Sequence, residues 1–162
     1  RDVHKCTHQL LVSAQDHDLL YQQNHCGVYR SQDAGNQWED ISPSDSLRHG
    51  FSMSLVENGG RTIYTIPAFQ GACKKHNSCV VGALAVYRNR NGEGWERLEA
   101  GLPKNAHTCV LRHAMAADHL SPSGVYFGTT TGEIFGTKDG GDSWSLMVRG
   151  IGRVQGISSL LQ

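Results

Sequence analysis

The stretch Ser31-Gln32-Asp33-Ala34-Gly35-Asn36-Gln37-Trp38 returns later in the chain as Thr137-Lys138-Asp139-Gly140-Gly141-Asp142-Ser143-Trp144. Both follow the pattern S/T-x-D-x-G-x-x-W, and each of the four fixed residues suits a tight turn between two strands. The hydroxyl and the carboxylate accept hydrogen bonds from turn amides, and the glycine supplies backbone freedom at positive φ. The tryptophan places a large ring at the start of the following strand, where it can pack against a sheet while its N–H finds a carbonyl. The pattern therefore specifies architecture, and Ser31, Asp33, Gly35, Trp38, Thr137, Asp139, Gly141 and Trp144 are read as structural residues.

A degraded third copy, Arg88-Asn89-Arg90-Asn91-Gly92-Glu93-Gly94-Trp95, keeps the offset of Gly92 from Trp95 and loses the carboxylate. The three tryptophans stand about 50 residues apart, the period of one propeller blade. Ahead of each turn lie two runs rich in Tyr, Val, Ile and Thr, at 18–21 and 27–30, 61–64 and 85–88, and 124–127 and 132–135. They read as paired strands B and C. A shorter strand A precedes each pair at 10–14, 52–56 and 114–117, and strand D begins at each tryptophan. No amphipathic helical pattern of useful length interrupts them. The expected fold is all-β, a partial β-propeller of three four-stranded blades over 8–46, 47–103 and 107–150. Residues 151–162 form an additional closing or next-blade strand.

The quoted pattern resembles the Asp-box, or BNR repeat, shared by sialidases, sortilin-type receptors, xyloglucan-hydrolysing enzymes and photosystem-assembly propellers. The strings at 20–31 and 124–135 are similar to bacterial glycosyl-hydrolase-like Asp-box propellers without an established activity. This resemblance implies that the box lies at the C–D turn on the blade periphery, away from the substrate-binding face. It further implies the C-terminal half of such a protein.

The totals narrow the function classes. The 162 residues carry 15 Lys+Arg against 15 Asp+Glu, with no basic run, so nucleic acid is not an expected partner. No apolar stretch approaches the roughly 20 residues of a membrane span, so no membrane partner is expected. The chain starts at Arg1 and shows no signal-peptide pattern, which leaves the compartment open between bacterial cytoplasm and export. Five cysteines are an odd number, and only Cys73 and Cys79 would close locally, given an oxidising compartment. Three blades leave apolar blade sides to be covered, by missing blades of a longer chain, by a second copy completing a ring, or by another partner on which the open arc rests.

The antiparallel order sorts reactive residues between two faces. Connections D–A and B–C carry His4, Cys6, His8, His25, Cys26, Arg48, His49, Cys73, His76, Cys79, His107, Cys109, Arg112, His113 and Arg153, whereas only His17 and His119 lie on the A–B side. Cys6, Cys26 and Cys109 are expected as buried or half-buried free thiols. Arg48, Arg112 and Arg153 each lie near the start of a strand A, where sialidase-like propellers place the arginines that hold a substrate carboxylate. With His25, His49 and His107 they form the candidate ligand-binding set.

The chemistry expected of that face is binding. No Tyr–Glu pair or facing carboxylates can be assigned for glycosidic cleavage, and no framing motif marks a nucleophile. His4-x-Cys6-x-His8 alternates like a strand, but no C-x-x-C or H-E-x-x-H motif occurs, so neither a metal nor another cofactor is expected. The expectation is a non-catalytic scaffold for a glycan or protein ligand. The alternative is a sialidase-related hydrolase, or half of one, that holds an acidic sugar through the arginines.

Overall fold

A computed structural model describes Val3, residues 5–68 and residues 80–159. The expected disulfide between Cys73 and Cys79, together with His4 and His76, falls outside the described residues. Three four-stranded antiparallel sheets follow one another along the chain. The first comprises β1 (Gln9–Val12), β2 (Leu20–Gln23), β3 (Val28–Ser31) and β4 (Glu39–Asp40). In the second, β5 (Gly50–Val56), β6 (Thr62–Pro67), β8 (Val86–Arg90) and β9 (Trp95–Leu98) pair in that order, with β7 (Val80–Gly82) inserted between β6 and β8 in sequence. After β10 (Ala106–Thr108), the third sheet is built from β11 (Met115–Ala117), β12 (Val125–Gly128), β13 (Glu133–Thr137) and β14 (Ser145–Arg149). The chain is all-β, a partial β-propeller, and its one helical element among the described residues is a 3-10 turn at Asp45–Leu47.

Burial follows the position of each sheet in the series. The middle sheet is covered on both faces, so β6 and most of β5 and β8 are buried without alternation. The first sheet has one covered face, and β1 alternates half-buried and exposed residues, with Leu10 and Val12 in solvent. Between the first two sheets Leu19, Tyr21 and Val28 pack on Met53 and Ile63. A larger core joins the second and third sheets, where Tyr64, Ile66 and Val86 meet Val125, Phe127, Phe135 and Trp144. The outermost strand β14 is exposed throughout.

Two features depart from the expected strands. Strand β7 leaves the B–C insertion of the second sheet and pairs antiparallel with β10, placing His107 opposite Val81. Residues 154–159 form no regular strand; Gly156 makes a single parallel bridge to His113, and the amide of Val154 donates to Thr129 O at 3.1 Å.

Candidate functional site

At the C–D end, the two full copies of the pattern fold alike. Ser31 Oγ donates to Asp33 Oδ1 at 2.8 Å and accepts from the Gly35 amide at 2.8 Å, while Asp33 Oδ1 also accepts from the Gln37 amide. Thr137 Oγ1 and Asp139 repeat this with Gly141 and Ser143, at 2.6, 2.9 and 3.0 Å. The glycines take φ of +91° and +99°, as the turn requires. In the degraded copy Asn89 takes over the bond that the hydroxyl makes in the full copies, its Oδ1 accepting from the Gly92 amide at 2.9 Å. These bonds hold the Asp33 carboxyl below its ordinary range, through the Gln37 amide first and then the Ser31 hydroxyl. Ser143 and Thr137 do the same to Asp139. Carboxylates so committed are poor proton donors at neutral pH.

The tryptophans differ more than their motifs. Trp38 donates to its own turn at Gly35 O (2.9 Å), and Trp95 to Ile41 O of the first sheet's end (2.5 Å). Trp144 is buried against Phe127 with ring centroids 5.2 Å apart, and its indole N–H has no partner among the described residues. The expectation of a carbonyl for each indole thus fails at Trp144, where sheet-to-sheet packing governs the ring's position.

The opposite end gathers the reactive side chains. His8 precedes β1, His25 sits in the β2–β3 turn, and His49 leads into β5. Their rings form a compact group: His8 and His25 centroids lie 4.5 Å apart, His25 and His49 4.8 Å, and His8 and His49 5.7 Å. Phe51 closes one side, 4.5 Å from His8 and 5.2 Å from His49, and the Arg112 guanidinium lies 5.3 Å from the Phe51 ring centre. Segments of all three sheets therefore meet here.

Buried amides hold this arrangement. Gln23 Nε2 donates to Asn24 O, Gly27 O and Arg48 O at 2.9–3.0 Å, and its Oε1 accepts from Thr65 Oγ1 at 3.1 Å. This single side chain ties the turn that carries His25 to the segment that carries His49. Asn24 Oδ1 caps the same turn by accepting from the Cys26 and Gly27 amides at 2.6 and 3.0 Å. Gln22 Nε2 and Asn24 Nδ2 both donate to Val3 O, and the His8 amide donates to Gln23 O at 2.9 Å, fixing both flanks of Cys6. Buried amides fully engaged in this way fix one geometry.

Electrostatics at this end favour a neutral His8 imidazole. Burial pushes His8 down to about 4, outweighing its bond to Gly50 O, and His25, Arg112 and His49 act in the same direction as burial. The carbonyl of Gly50 only accepts, so His8 Nδ1, 2.6 Å away, carries the hydrogen.

The candidate set is divided. His25, His49 and Arg112 come together. Arg48 instead binds Asp40 (2.5 Å), Asp45 (3.1 Å) and Cys26 O (3.0 Å), so its guanidinium serves the fold. His107 stands exposed on the β7–β10 ribbon and Arg153 is exposed after β14. Cys26 is half-buried and Cys109 buried as expected, but Cys6 is exposed, with φ of +49°. The strand-like alternation expected around Cys6 is absent because this residue adopts left-handed backbone. His8, Phe51 and the amides of 22–24 complete the site; only the histidine had a visible signal in the sequence.

No protein-family model matches the chain, and no curated protein matches it. Solved structures do share its fold. An ancestral GH74 enzyme superposes with a TM-score of 0.63 at 18% identity, covering 87% of this chain and 19% of that one. YCF48 from Cyanidioschyzon merolae gives 0.63 at 18% identity, covering 93% of this chain and 42% of its own. The GH74 enzyme of Niastella koreensis gives 0.53 at 17% identity, with 85% and 22% covered. These are β-propeller proteins, and the chain spans less than half the length of each.

Proposed function

We propose that the chain is a set of Asp-box blades acting as a non-catalytic binding scaffold, whose ligand, a glycan or a protein segment, is received at the histidine end. The observation that carries this reading is the convergence of His8, His25, His49, Phe51 and Arg112 from three successive sheets. An aromatic face, imidazole rings and one exposed guanidinium suit stacking and hydrogen bonding. Arg112 alone among the three arginines favours the second reading, a hydrolase or half of one that holds an acidic sugar, since Arg48 is engaged by Asp40 and Asp45.

The uncovered face of the third sheet is assigned to a further blade. Met147 and Val148 are exposed there, and with Tyr126 and Ile134 they line a cavity of about 680 Å³. The solution mass separates the two sources of such a blade: a dimer means a second copy, and a monomer means a longer chain.

Ligand binding is tested on the full chain in the presence of a chelator, against neutral, uronic and sialic oligosaccharides and a peptide library. Binding without turnover that perturbs the NMR signals of His25, His49 and Arg112 is expected. Product formation would replace the scaffold with the hydrolase, and binding that leaves those signals unmoved would displace the site.

A further inference from the structure

We infer that Cys6, His8 and His25 form a binding site for a transition metal of zinc-like softness. One donor atom from each, a thiol sulfur and two ring nitrogens, lie within 4.8 Å of one another. A tetrahedral zinc site with Zn–N near 2.0 Å and Zn–S near 2.3 Å places its donors about 3.3–3.6 Å apart. The exposed Cys6 side chain has room to make such an adjustment.

The orientation of His8 points to a ligand. The residue is 4% exposed, its Nδ1–H is committed to Gly50 O, and Nε2 therefore carries the lone pair. That Nε2 is buried without a hydrogen-bond partner among the described residues. A buried acceptor left in this state is destabilising unless a ligand satisfies it. Anchoring of the second ring nitrogen by a carbonyl is the arrangement that metal-binding imidazoles use to fix tautomer and direction.

Cys6 supplies what the imidazoles lack. The Arg112 guanidinium lies over Phe51, which borders His8, so two imidazole ligands alone would hold a cation weakly. Binding releases the Cys6 S–H proton to solvent, and the resulting thiolate offsets the guanidinium. The backbone around Cys6 is held from both sides, because Gln22 and Asn24 grip Val3 O and the His8 amide donates to Gln23 O, while Cys6 itself sits at φ +49°. A non-glycine residue held in that region is costly and is retained where surrounding structure over-determines it. Three protein donors leave a fourth position for water or a ligand atom. This inference rests on the cluster's geometry and not on the scaffold reading: a chain that binds zinc and no glycan or peptide keeps it.

The test uses the full reduced chain after chelator treatment, with zinc measured by competition against a chromophoric chelator and cobalt(II) by absorption. One ion per chain is expected, with a thiolate-to-cobalt charge-transfer band. Cys6→Ser should abolish that band and weaken zinc binding at least about tenfold, and His25→Ala should weaken it to a similar extent. Both positions are solvent-accessible, so the test does not depend on a folded His8→Ala variant. Cys73→Ser/Cys79→Ser should retain the band. Absence of stoichiometric zinc binding, survival of the band in Cys6→Ser, or its loss in the Cys73/Cys79 variant would each overturn the inference.

Discussion

The turns ending at Trp38 and Trp144 share a sequence pattern and a hydrogen-bond scheme, yet one ring is half-buried and the other is 3% exposed. The difference comes from the neighbour. Trp144 rests on the second sheet: its amide donates to Ala100 O at 2.9 Å, and Arg88 and Tyr64 reach across to Gly140 O at 2.5 and 2.9 Å. Trp38 belongs to the first sheet, has no preceding sheet to rest on among the described residues, and turns its N–H back to Gly35 O. The short pattern thus encodes the turn, while the ring's burial is supplied by the adjacent sheet.

The largest effect that would break this comparison is at the rings themselves. Trp144→Ala should cost about 3–5 kcal/mol in chemical denaturation, the range for deleting a buried aromatic. Trp38→Ala should cost about 1 kcal/mol, because it removes one turn hydrogen bond and partial packing. Equal losses would mean that the sequence pattern, and not the neighbouring sheet, sets the ring's contribution.

Gly101 tests the junction from the other side. A Cβ there would meet the Trp144 carbonyl oxygen at 2.0 Å, and the residue takes φ of +85°. Gly101→Ala should therefore destabilise by about 1–3 kcal/mol or more. It should also shift Trp144 fluorescence while leaving the Trp38 turn's amide exchange unchanged.

Arg88 stands where the first turn has Ser31 and the third Thr137. It is buried, and it binds Glu96 (2.5 Å), Asp142 (2.8 Å) and Gly140 O. Arg88→Met should cost about 1–3 kcal/mol in urea denaturation, chiefly lost charge-assisted bonds, because both carboxylates are left in solvent rather than buried.

The smallest effect is acid sensitivity. Asp33 and Asp139 have folded-state values below the ordinary 3.8, so their contribution to stability is full above that value and is lost as pH falls below it. Asp139→Asn should flatten the decline of stability below about pH 4. The corresponding change at Asp33 should be smaller, because Asp139 alone has a second hydroxyl, Ser143 Oγ, at 2.5 Å. Urea denaturation at stepped pH reads both.

Turns and strands were legible because each turn is local: hydroxyl, carboxylate, glycine and tryptophan act within eight residues, and the strand runs on either side keep phase. Sorting the histidines onto one end was legible for the same reason, since antiparallel connections alternate. Which of them touch was not, because His8, His25 and His49 meet only after Gln23 ties the first sheet to the second. Arg48 looked free in sequence because its partners Asp40 and Asp45 lie close by but act only once the chain has turned after β4. Arg88 looked like a fault in the motif, although it is the side chain that joins two sheets.

Histidine ring contacts test the central claim, that the first and second sheets bring their connections together at one end, most directly. NOE spectra of the full chain in the presence of a chelator should show ring-proton cross-peaks from His8 to both His25 and Phe51, and from His49 to both of these residues. Their absence in a folded chain, with each imidazole behaving as an isolated surface group, would contradict the arrangement of the sheets and the site built on it.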